Sequence, residues 1–184
     1  MTLQETIGLR LIKLFVHPIP RDDPVDFKTR LKQATRVLIS CPTGKEISCH
    51  STIVAKFASL FPREGLVVLC PGSEKYSPEK YRIERLLSYP ITFPDIPKHS
   101  LWNLVRCKSL KQLNQHRFDA LLDLDPDFSL LNVYLCRLLH SPVRIGFTKP
   151  HSNRLYNIQY NGKPGVPYAK RLEGLLQLLQ SLLS

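Results

Sequence analysis

Four short apolar runs dominate this chain: "RVLIS" (36–40), "GLVVL" (65–69), "FDALLDLD" (118–125) and "VRIGF" (143–147). Each is too short for a buried helix. A stretch whose apolar residues recur every three or four positions follows most of them. Unbroken apolar runs mark strands covered on both faces, and alternation with helices implies crossover connections and a parallel sheet. The expected fold class is therefore α/β, with helices on both faces of the sheet. "ITF" (91–93) is a further short strand candidate.

The helices are read from the same periodicity. Leu3, Ile7, Leu11 and Leu14 make residues 3–16 an amphipathic candidate, with Arg10 and Lys13 elsewhere on the wheel, and "HPIPRDDP" ends it. Further helices are expected over 26–34, 48–60, 77–88 (capped by Ser77) and 100–116 (capped by Ser100). Asp127 is the expected cap of a helix with Phe128, Leu131, Leu135 and Leu138 on one face. Between Phe147 and the last helix the chain reads as irregular. That helix has the stripe Ala169, Leu172, Leu176, Leu179 and Leu183. The resulting division is a helical extension over 1–35 and one α/β domain over 36–184.

Composition narrows the function classes. At 184 residues the chain can bury one real core. No apolar stretch approaches the ~20 residues of a membrane span. The first twenty residues have charges inside the apolar part and no small-residue cleavage site, unlike a signal peptide. Five irregularly spaced cysteines fit reduced thiols and a cytoplasmic protein. Neither they nor the six histidines have the spacing of a metal site, so no metal and no cofactor is expected. The net charge of +11 would attract polyanions. The basic residues are spread along the chain without a basic tail, which makes nucleic acid the weaker partner.

Ligands of parallel α/β sheets gather at the carboxyl ends of the strands. Those ends carry "CPTGKE", "CPGSEK", "DLDPDF" and "GFTKPHS". "PTGKE" is not a nucleotide-binding P-loop, because that motif would need glycine at Ile39 and a hydroxyl at Glu46. Gly44 can still bring backbone N–H groups near an anion, with Lys45 adding charge, or the segment is an ordinary strand-to-helix turn. Asp123 and Asp125 would share one face of an extended strand. The candidate ligand-binding residues are Thr43, Gly44, Lys45, His50 and Asp125.

In order, three stretches resemble glycosyltransferase family 9, the bacterial lipopolysaccharide heptosyltransferases: "RVLISCPTGKEISCHSTIVAKFASLFP", "LKQLNQHRFDALLDLDPDFSLLNVYLCRLLHSPVRIGF" and "PYAKRLEGLLQLLQSLL". The resemblance covers about residues 36–183 and rests on order and spacing. It implies a Rossmann-like domain equivalent to the amino-terminal, acceptor half of a GT-B enzyme, whose other half holds ADP-heptose. In the family the β-strand turn reads Gly-Asp, and the aspartate is the candidate base. Here Gly44 matches the glycine, Lys45 stands in place of the aspartate and Glu46 is the nearest substitute. A protonated lysine cannot accept the acceptor's proton. The chain also ends where the donor domain would begin. The resemblance thus implies binding of an anionic glycan or lipid-sugar without transfer by the chain alone. A donor-domain chain or a second copy would be a partner, and residues 3–16 a peripheral contact at the inner face of the membrane. The alternative is a non-catalytic basic binding or scaffold protein for nucleic acid or another protein.

Overall fold

The computed structural model describes Arg10 and residues 26–42, 47–62, 65–69, 91–92, 108–163 and 165–184. Six strands form one sheet: β1 (Val37–Ser40), β2 (Leu66–Leu69), β3 (Ile91–Thr92), β4 (Ala120–Asp123), β5 (Val143–Phe147) and β6 (Ile158–Tyr160). Their spatial order is β3-β2-β1-β4-β5-β6, and every neighbouring pair is parallel. This is the strand order of the doubly wound, Rossmann-like fold. The helices are α1 (Phe27–Lys32), α2 (Ile47–Ala58), α3 (Lys108–Leu113), α4 (Leu130–Leu138) and α5 (Tyr168–Leu183), with 3₁₀ turns at Asn114–His116 and Ser152–Arg154.

Alternation along the central strands divides the interior into two cores. Val37, Ile39, Ala120, Leu122, Val143, Ile145 and Phe147 face α1, α2 and α5. Leu38, Leu69 and Leu121 face α3, α4 and the crossover residues Leu155 and Tyr156. Because both faces are covered, all of β1, β4 and β5 is buried, which is why these strands read as apolar runs, interrupted before their last residues only by Arg144 of β5. The apolar stripe of α5 is buried at Leu172, Leu175, Leu176 and Leu179. Its Gly174 leaves room for Tyr160, whose ring Cζ would lie 2.5 Å from a Cβ at that position. At Gly65 the backbone of Thr35 passes so close that a Cβ would stand 2.7 Å from its carbonyl carbon.

Two expectations change. Asp127 is not the cap of α4. The helix starts at Leu130 after an extended Ser129 that makes no side-chain cap bond, while the Asp127 amide donates to Asp125 Oδ1 at 3.0 Å. The carboxylate of Asp125 thus folds residues 125–127 into a bend of their own and moves the helix start onward. The stretch between Phe147 and α5 also contains a strand, β6, paired with β5 from Ile145↔Ile158 to Phe147↔Tyr160. The expected helices over 3–16 (apart from helical Arg10) and 77–88, and the Ser100 start of the helix before Lys108, lie outside the described residues.

Candidate functional site

The strand order reverses between β1 and β4, so the crevice past their carboxyl ends is where a fold of this kind receives a ligand. Ser40 and Asp123 are the last residues of those strands and stand directly opposite each other in register. Both are fully buried. A buried carboxylate is tolerated only when its charge is paired and its lone pairs are bonded, and Asp123 meets both conditions. Its Oδ1 accepts from Asn132 Nδ2 at 2.7 Å and from the Asp125 amide at 2.8 Å. Its Oδ2 accepts from Lys149 Nζ at 2.6 Å and from the Tyr156 hydroxyl.

Each donor comes from a different element. Asn132 lies in the first turn of α4, and its Oδ1 accepts from Ser40 Oγ at 2.7 Å, which extends the network to β1. Lys149 follows β5 and also donates to the Asp125 carbonyl at 2.7 Å. The turn that carries it is wound on Ser152, whose Oγ accepts from the Lys149 amide at 3.2 Å and donates to Gln159 Oε1 at 2.6 Å. Tyr156 comes from the crossover to β6 and lies over Gly146, where a Cβ would meet its ring at 3.1 Å. Burial, together with the charge of Asp123, pushes the Tyr156 hydroxyl well above its ordinary pKa, so it remains a protonated donor. The buried Cys136 thiol beside it is pushed up to about 12 for the same two reasons. Arg144, 4% exposed, gives Nε to the Leu155 carbonyl at 2.8 Å and Nη1 to that of Ser141 at 2.7 Å, which fixes the crossover at its other end.

Of the candidates named from sequence, Asp125 is placed at this end of the sheet. It is 4% exposed, next to Asp123 through its amide, with its carboxylate engaged by Asp127. Asp123 and Asp125 do come together, but through this turn, because β4 stops at Asp123. Thr43, Gly44, Lys45 and Glu46 lie outside the described residues. His50 is in the first turn of α2, and its side chain is likewise outside the description. Lys149, Tyr156, Asn132 and Ser40 were not singled out from sequence. The signal for them was a buried strand ending in aspartate, which requires a cation from a neighbouring strand end. Among the described residues no cluster of three or more His, Cys, Asp or Glu could hold a metal ion.

The arrangement defines a doubly wound α/β domain with a sealed acid–lysine–tyrosine cluster beneath its switch point. No protein-family model matches the chain, and no curated protein matches it. No helix among the described residues is long and apolar enough to cross a membrane.

Proposed function

We propose that the chain is an acceptor-type domain like that of family 9 glycosyltransferases, binding an anionic glycan or lipid-linked sugar past the ends of β1 and β4, and that it transfers no sugar by itself. The observation that carries this reading is the strand order. It makes the β1–α2 connection, which contains Gly44 and Lys45, the first connection beyond the switch point. The net charge of +11 suits a phosphorylated ligand. Lys45 in the place of a base aspartate argues against proton abstraction there. Calorimetric titration at low salt with phosphorylated lipid A-type glycans and with ADP-heptose tests the reading. Lys45→Ala should weaken glycan binding by about tenfold or more, as expected for one charge-assisted contact. Equal binding by wild type and variant would remove Lys45 from the site, and turnover of ADP-heptose by the chain would overturn the claim of inactivity.

A second reading, a non-catalytic binding or scaffold protein, is favoured by one specific feature. Both oxygens of Asp123 are filled from within the protein, so the buried acid at the end of β4 has no lone pair to offer a substrate. Absence of binding to every glycan and nucleotide-sugar, together with an intact fold, would leave this reading in place.

A further inference from the structure

The first turn of α5 holds an arginine whose charge the fold does not use. Arg171 is half-buried, with its Cζ 4.9 Å from the centre of the Phe147 ring. Phe147 ends β5 and is fully buried, and the rings of Tyr160 and Tyr168 meet it edge-on at 6.1 and 6.4 Å. On the side of Gly162 the fit is as close: a Cβ there would stand 3.0 Å from Arg171 Nε and 3.2 Å from its Cγ. An aromatic face and a glycine thus hold the guanidinium in one place, through a cation–π contact. Its Nε is buried and has no acceptor among the described residues. Burying a donor without a partner costs free energy, and native proteins rarely do so. No acid stands in the first turn of α5. Glu173, two residues on, lines the groove toward Lys56 of α2 and Ser59 instead. Among the described residues the ion pair is that of Lys149 with Asp123, in which Arg171 has no part. The helix does not account for the cation either, because its amino-terminal end repels positive charge.

This arginine stands at the end of the sheet where the candidate ligand site lies. The hydroxyl of Tyr168, in the same turn, donates to the Leu124 carbonyl at 2.7 Å, and the Leu124 amide donates to the Ser40 carbonyl at 2.9 Å. Leu124 therefore ties the head of α5 to the carboxyl end of β1, and Phe147 puts the guanidinium at the carboxyl end of β5. We infer that Arg171 is a preset phosphate-binding group that takes a ligand's phosphoryl oxygens on its Nη pair. Because Nε is sealed off, the Nη pair is the part of the fork a ligand can reach, and its spacing matches two oxygens of one phosphate. Contact with Phe147 orders the side chain before the ligand arrives, so less entropy is lost on binding. The inference deepens the proposed function and rests on it for the glycan; the recognition of phosphate stands by itself.

Calorimetric titration of the full chain with inorganic pyrophosphate, in about 0.1 M salt, tests this. At that ionic strength an exposed charge more than ~10 Å away is largely screened. The wild type should bind, and Arg171→Gln should bind about tenfold or more weakly. Lys32→Gln is the charge-matched control. Lys32 Nζ bonds the Ser184 carbonyl at the other end of α5, about 20 Å along the helix from Arg171, and its loss should leave affinity within about twofold of wild type. Thermal unfolding checks that both variants fold. Arg171→Lys keeps the charge and most of the stem over Phe147 but lacks the planar fork, and should bind several-fold more weakly. Absence of pyrophosphate binding by the wild type, equal losses in Arg171→Gln and Lys32→Gln, or full affinity in Arg171→Lys would each overturn the inference. Competition identifies the source of the phosphate: displacement of pyrophosphate by a phosphorylated lipid A-type glycan assigns the group to the glycan, and displacement by ADP alone assigns it to a nucleotide. Pyrophosphate binding that depends on Arg171, with no glycan bound, would keep the inference and remove the glycan reading. Glycan binding with no pyrophosphate bound would do the reverse.

Discussion

Replacing Lys149 by methionine keeps the length of the side chain and removes its charge. The side chains of Lys149 and Asp123 are 3% and 0% exposed, so no water can stand in for the lost ammonium without the turn opening. Removing one member of a buried pair typically costs ~3–5 kcal/mol, mostly as the penalty on the charge left behind. Here the lower end applies, about 3 kcal/mol, because Asn132, Tyr156 and the Asp125 amide still donate to the carboxylate. Asp123→Asn should cost about as much, since its amide nitrogen would face the Lys149 ammonium. The double variant Asp123→Asn/Lys149→Met removes both charges and lets the new amide donate to Tyr156. Its cost should therefore fall below the sum of the single variants by about 2 kcal/mol or more. Urea unfolding of the four proteins measures this, provided that the dependence on denaturant is unchanged. Additivity within about 0.5 kcal/mol would show that the two charges do not stabilise each other, and would refute the account of a sealed pair.

Gly174→Ala reverses the usual effect of removing a helical glycine: instead of gaining up to about 1 kcal/mol it should destabilise by roughly 1–3 kcal/mol, because the new methyl overlaps the Tyr160 ring and hydroxyl. A raised melting temperature would show that Tyr160 moves aside freely. Asp119 is held below the ordinary carboxylate pKa: burial alone would raise it, but the amides of Arg36 and Thr35 more than offset this. Its contribution is thus fully present above the unfolded value, near pH 4, and is lost as pH falls through the lower folded value. Asp119→Asn should flatten the acid limb of the stability curve in that window, and an unchanged limb would exclude the effect. Cys136, buried and with its thiol pushed up to about 12, should resist alkylation at neutral pH in the folded chain and react in urea. Native-state labelling as fast as that of the unfolded chain would contradict its place in the core.

The sheet was readable because burial on both faces leaves β1, β4 and β5 almost no polar position before their ends, and a run of that length and composition suits little else than a covered strand. β6 was not readable for the converse reason. It has three half-buried residues, with Ile158 and Tyr160 packed on one core and Gln159 turned toward Ser152, and so carries no run at all. The start of α4 was misplaced because aspartate serves equally well as a helix cap and as the acceptor in a tight turn. Local sequence does not say which backbone amide reaches the carboxylate first. The site shows the same limit over a longer distance. "DLDPDF" was visible as a group of acids, but whether Asp123 faces a ligand or the interior depends on Lys149, 26 residues away and two residues past the end of β5. Burial decides the matter. An aspartate that ends a strand enclosed on both sides keeps its charge only if it finds a cation, and in a parallel sheet a near supply is the carboxyl end of the next strand. By that reasoning "GFTK" should be read together with "LLDLD". The lysine two residues beyond β5 is then the internal partner of the acid, and the attraction of an anionic ligand falls to cations the core does not consume.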